Sequence, residues 1–233
     1  ARAAGLKRVV YLSVIHSDVY LNVPHFAGKF GVERMLEQMG FEATVLRPAY
    51  FMDNDRTVFE VVRGHGIYPM PVGRLGLAMI DARDIGEIAA LELLRREQST
   101  EALPFERINL VGPETLTGEA VAAVWSDVLG RPVVHAGDDT AAFESNLRQF
   151  MPPWMAYDMR LMSERFVTDG MVPEAGDIER ARTLLEQRGW AFDEIEANPR
   201  RLRATSGKAT TPQIFVAAGL VSLRRGAMTT PTN

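Results

Sequence analysis

The chain has 233 residues, enough for one sizeable core or two small ones. Its formal charge of -4, without clustered Lys and Arg, argues against a nucleic-acid partner; no apolar run approaches the ~20 residues of a membrane span, and the first ten residues lack the apolar centre of a leader peptide. The absence of cysteine excludes disulfides, thiolate chemistry and Cys-ligated metals, so the expectation is a protein of the cytoplasm.

In chain order, "ARAAGLK" reads as a helix tail stopped at Gly5, and "KRVVYLSVI" (7–15) as a strand buried on both faces of a parallel sheet. Residues 24–39 follow as a helix, with Phe26, Phe30, Val32, Met35, Leu36 and Met39 at helical spacing and Gly40 as its stop. "EATVLRP" (42–48) is a second buried-type strand. "MIDARDIGEIAALELLRR" (79–96) is an amphipathic helix with Asp81 or Asp84 as its cap. Residues 106–130 give a strand, a Gly-Pro turn and a helix capped by Thr117, and 131–137 another short strand. Residues 143–172 are rich in Met and aromatics at helical spacing, which fits a core-facing helix pair or a lid. After Pro173 a helix (177–189) and two strand-like runs (190–196 and 212–223) are predicted. Alternation of strands and helices predicts an α/β fold with a mostly parallel sheet.

Chemistry-bearing residues concentrate early. His25 and Lys29 lie four apart on one helix, and Pro48, Ala49, Tyr50 and Phe51 lie just past a strand's carboxyl end, where ligands bind in open α/β sheets. A solvated helix face accounts for the first pair equally well, and a plain strand exit for the loop. Histidines 16, 25, 65 and 135 lack metal-ligand spacing, and no G-x-S-x-G elbow occurs.

The segments "AGLKRVVYLSV", "PHFAGKFGVERMLEQMGFEATVLRPAYFMDN", "DARDIGEIAALELL" and "RINLVGPETLTGEAVAAVWSDVLGRPV", in this order, resemble the NmrA-like family of atypical short-chain dehydrogenases/reductases over residues 1–172. The resemblance implies a doubly wound, Rossmann-type fold binding NADP or NAD, NADP being favoured, with a helical lid over the substrate. In short-chain dehydrogenases a Tyr-x-x-x-Lys pair donates a proton and orients the nicotinamide ribose, and a serine at the preceding strand's end holds the carbonyl. Here Lys29 matches the lysine and Ser13 the serine, His25 stands at the tyrosine position, and Pro48–Phe51 is implied to lie against the nicotinamide. Histidine can serve as an acid near neutral pH. Some family members are implied to bind NADP without turning it over.

No G-x-G-x-x-G turn occurs, so the pyrophosphate cradle of a dinucleotide site is missing and the Rossmann-type unit is expected to be partial. The chain as given is expected to bind dinucleotide poorly, and to self-associate through the unpaired edge of its first strand. Residues 173–233 are expected to form a separate short α/β segment. Within them, residues 177–223 resemble the later part of a glutaredoxin, with Thr211 and Pro212 matching a glutathione cleft but no cysteine to perform exchange. Three readings follow: an NAD(P)H-dependent reductase of a small carbonyl or similar group, a non-catalytic NADP(H)-sensing or regulatory protein, or an inactive fragment or hybrid.

Overall fold

A computed structural model describes residues 5–186. Its centre is a three-stranded parallel sheet in the order β1 (Arg8–Leu12), β2 (Glu42–Pro48), β4 (Glu106–Leu110). Arg8 lies opposite Glu42 and Leu12 opposite Leu46, while Thr44 pairs with Glu106 and Pro48 with Leu110. Helix α1 (Pro24–Gln38) covers one face, where Leu36 packs with Phe41, Ala43, Val9 and Tyr11. Helix α3 (Ala82–Gln98) covers the other, where Ile85 and Ile88 meet Leu46, Ile108 and Leu110. The period-2 alternation of strand side chains sorts the two sets. The fold is thus α/β with a mostly parallel sheet, as the alternation of elements predicts.

A second layer surrounds the strands' carboxyl ends. It comprises a 3-10 turn (Met52–Thr57), helix α2 (Phe59–His65), a two-stranded parallel ribbon of β3 (Ile67–Tyr68) and β5 (Val134–His135), and helix α4 (Gly118–Leu129). Thr117 caps α4 through the Ala120 amide, and Asp81 caps α3 through the Arg83 amide. The Met- and aromatic-rich stretch forms helices α5 (Thr140–Leu147) and α6 (Pro153–Thr168), which pack on each other. Gly73 has φ +75°, and a Cβ there would lie 2.6 Å from the Phe166 carbonyl oxygen, so the loop before α3 meets the end of α6 backbone to backbone. Helix α7 (Asp177–Glu186) lies on β4 and α3, with Leu185 in the same core as Leu46. The glutaredoxin-like residues beyond it, Thr211 and Pro212 included, lie outside the described residues.

Helix α1 departs from its sequence pattern. Its buried positions are Phe26, Glu33 and Leu36, while Met35 and Met39 are exposed. The helix is rotated so that Glu33, fully buried, points at the sheet. Arg47 on β2 clasps the Glu33 carboxylate through Nε and Nη2, at 3.0 and 2.6 Å. Ser13, Ser17 and Arg107 also donate to it. Burial alone would raise the Glu33 carboxyl; hydrogen bonds from Arg47 and Ser13, the Arg47 charge, and then Ser17 outweigh it and hold the group below the usual carboxylate range.

Glu33→Ala leaves Arg47 buried without its main counter-charge and is expected to cost about 3–5 kcal/mol in urea unfolding. Because the Glu33 pKa is depressed in the folded state, its contribution is complete above the ordinary Glu range. It is lost as pH falls through the lower folded value, so the gap between wild type and variant should narrow on acidification. Among the described residues β1 is paired only with β2, and Leu6 and Leu12 beside that edge are exposed. Size-exclusion chromatography with light scattering at micromolar concentration is expected to show self-association.

Candidate active site

Helix α1 begins at the sheet edge where the parallel strands end, so the residues of its first turns stand beside the last residues of β1. Lys29 Nζ donates to the Leu12 carbonyl at 2.9 Å and lies 5.7 Å from the centre of the Tyr11 ring. An ammonium carries three donors, and no other bond of Nζ is made among the described residues. His25, one turn earlier, is half-buried. Its Nδ1 donates to Asp158 Oδ2 at 2.6 Å, and Phe26 packs edge-on to its ring at 4.7 Å. Nε2 makes no bond among the described residues.

Asp158 comes from α6, over 130 residues later in the chain. Val23, the N-cap of α1, offers no side-chain bond, and Pro24 follows it. The Asp158 carboxylate supplies the cap from another helix, Oδ1 accepting from the His25 amide at 3.4 Å. Two further contacts hold α6 and the segment after it over this edge. The Tyr20 hydroxyl donates to the Gly170 carbonyl, and Arg165 donates to Asn22.

Ser13 is buried, and its hydroxyl donates to Glu33 rather than facing the open edge. Pro48, Ala49 and Tyr50 are buried too, and their backbone is engaged. The Pro48 carbonyl accepts from Ile15, the Ala49 amide donates to Leu110, and the Tyr50 carbonyl accepts from Ile80. Phe51 is half-buried and lines an apolar hollow of about 280 Å³ with Val10, Leu12, Leu46 and Ile85. That hollow lies on the α3 face of the sheet, opposite Lys29 and His25. The structure therefore brings Ser13, His25 and Lys29 to one edge. It places the 48–51 loop at the same end of the sheet but turns Phe51 toward the other face.

Below the loop sits Asp55, buried, accepting from the hydroxyls of Tyr50 at 3.2 Å and Tyr68 at 3.1 Å. Burial pushes its carboxyl up to about 6, against the hydrogen bonds from Tyr68, Tyr50 and Trp125, which act to lower it. Asp158, Glu33 and Asp55 were not candidates from sequence. The signal available for Glu33 was its place on the Phe26–Leu36 stripe. Nothing local marks Asp158.

Residues 1–190 match the model of the NmrA-like family. The chain belongs to the NmrA-like family. Among its relatives is an NAD(P)H azoreductase of Xenophilus azovorans, 30% identical over 135 residues, covering 57% of this chain and 45% of that protein. The chain spans about half the length of the curated relatives it matches, 45% and 57% of theirs. Among solved structures, the NADPH complex of an NADPH-dependent quinone oxidoreductase from Escherichia coli superposes with a TM-score of 0.67. It is 20% identical, over 81% of this chain and 68% of that one. The negative transcriptional regulator NmrA superposes with a TM-score of 0.56 at 21% identity, over 89% and 69%. At these identities the likenesses speak for the NmrA-like fold.

Asp55→Asn tests the strut beneath the loop. The raised folded pKa means that an ionised, buried Asp55 opposes folding above pH 6, and that this penalty fades as pH falls through about 6 towards the ordinary Asp value. The asparagine variant is expected to be more stable than wild type at pH 8, by up to about 3 kcal/mol. The difference should shrink at pH 5, as read from thermal unfolding at the two pH values.

Proposed function

We propose that this protein is an NAD(P)H-dependent reductase, with NADP(H) the favoured form, acting on a small carbonyl or similar oxidised group. One observation carries the reading. In a chain of the NmrA-like family, Lys29 and His25 stand one helical turn apart at the carboxyl edge of the parallel sheet, both with polar atoms to spare. The azoreductase relative and the NADPH-bound quinone oxidoreductase neighbour support it.

The donor set fits the nicotinamide-ribose end of a dinucleotide. Lys29 has two N–H groups beyond its bond to Leu12 O, in the compact cationic form that suits ribose hydroxyls. The fit does not extend to the pyrophosphate, because no G-x-G-x-x-G turn lies in the chain. When bound, the nicotinamide supplies hydride. Lys29 would hold the ribose, and His25 would hold a proton at Nε2 for the substrate heteroatom. Ser13 would serve the substrate side by keeping the end of β1 fixed through Glu33, and Pro48, Ala49 and Tyr50, at the same end of the sheet, would wall the site from water. NADP is preferred to NAD here on the neighbour's bound NADPH alone.

A second reading, an NADP(H)-sensing regulator without turnover, is favoured by the histidine at the tyrosine position and by the likeness to the NmrA regulator.

The test uses a version carrying a leading Gly-rich βαβ half, the part of a dinucleotide site these residues lack. NADPH binding is followed by nicotinamide fluorescence, and turnover by loss of NADPH absorbance with carbonyl, quinone and azo acceptors. Lys29→Ala is expected to weaken NADPH binding tenfold or more, the scale of one hydrogen bond from a charged donor. Unchanged affinity removes Lys29 from the site. Binding without oxidation by any acceptor favours the sensor.

A further inference from the structure

We infer that Asp158 is the positioning residue for His25, fixing its imidazole so that Nε2 is the atom presented to substrate; this rests on the reductase reading above. The carboxylate is buried, and both of its oxygens serve His25, Oδ1 the backbone amide and Oδ2 the ring at 2.6 Å. An ionised carboxylate only accepts, so Nδ1 must carry a proton. In the neutral ring the lone pair then lies at Nε2, and in the charged ring Nε2 carries the second proton. Phe26 packed edge-on at 4.7 Å restricts rotation of the ring. The side chain is 35% exposed, and Nε2 makes no bond among the described residues.

The step balances. With a bound nicotinamide supplying hydride to form the C–H bond at the acceptor carbon, the carbonyl π pair would take the Nε2 proton. The Nε2–H bond breaks, and the ring is left neutral with Nδ1–H still on Asp158. Solvent returns the proton to Nε2. The acceptor would gain its two electrons as the hydride, and its proton from His25. The carboxylate balances the imidazolium charge before the transfer and preserves the tautomer after it. A phenol has no second tautomer to exclude, so tautomer fixing is a demand that the histidine alone makes at this position.

A merely structural cap would hold α1 without fixing a tautomer. Long-range proton–nitrogen NMR of the imidazoles, on the chain as it is, separates the two. The neutral His25 ring is expected to carry its proton on Nδ1 in wild type and to lose that preference in Asp158→Ala. It should keep it in Asp158→Asn, whose amide oxygen still accepts. A wild-type ring protonated on Nε2 overturns the inference, even if the alanine variant does not fold. So does a tautomer that Asp158→Ala leaves unchanged. In turnover assays of the version carrying the Gly-rich half, Asp158→Ala is expected to lower kcat tenfold or more with the KM for NADPH within twofold, and Asp158→Asn is expected to fall between it and wild type. An unchanged kcat overturns the role. Failure of wild type to oxidise NADPH with any acceptor sinks the reductase reading and the catalytic role with it. The tautomer measurement reports on the pairing separately.

Discussion

A carboxylate removed from water is the constraint around which this chain is arranged. Glu33 is fully buried against the sheet, where an ion without partners would be too costly to keep. Its compensation draws on three pieces of chain besides its own helix: Ser13 and Ser17 after β1, Arg47 on β2, and Arg107 on β4. Satisfying that one group sets the roll of α1, which sends Met35 and Met39 to solvent and brings Lys29 over Tyr11. A related arrangement pins the other face, where Thr44 donates to Glu92 at 2.7 Å and accepts from the buried Arg96. Strand β2 thus carries polar groups to both faces, Thr44 to one and Arg47 to the other, and each selects its helix by hydrogen bonding as well as by apolar area.

What was legible in the sequence was what neighbours along the chain decide. Strand β2 has the bounds predicted from its apolar run, and Thr117 caps α4 as its side chain suits. The cap of α3 was narrowed to two aspartates, of which Asp81 is the one observed. The first strand is shorter than its apolar run, ending at Leu12, although the Ser13 and Ile15 amides still donate to the Leu46 and Pro48 carbonyls of β2. Periodicity misread the stripe of α1, since an arginine 14 residues away decides that a glutamate is buried and two methionines are not. The site was legible in the same proportion. His25 and Lys29 show a spacing; Asp158, more than 130 residues from the ring it holds, leaves no local mark.

The two sides of the sheet edge differ in character. On the α1 side polar atoms converge, fixed by the Glu33 cluster and by α6. On the α3 side lies the apolar hollow beside Phe51. The chain is similar to proteins with names as different as an azoreductase and a transcriptional regulator. A shared fold does not decide between chemistry and sensing.

Gly73 shows how far the orientation of His25 reaches. The residue touches neither His25 nor Asp158, yet its bare Cα is what allows the loop to lie against the Phe166 and Val167 backbone at the end of α6. A single added methyl group would collide with backbone that has no rotamer to give, and α6 would have to move as a body. Since α6 carries Asp158, the misalignment would be felt at the imidazole two turns further up the helix. Damage to such a site can therefore arise from a substitution that a map of its lining residues would pass over.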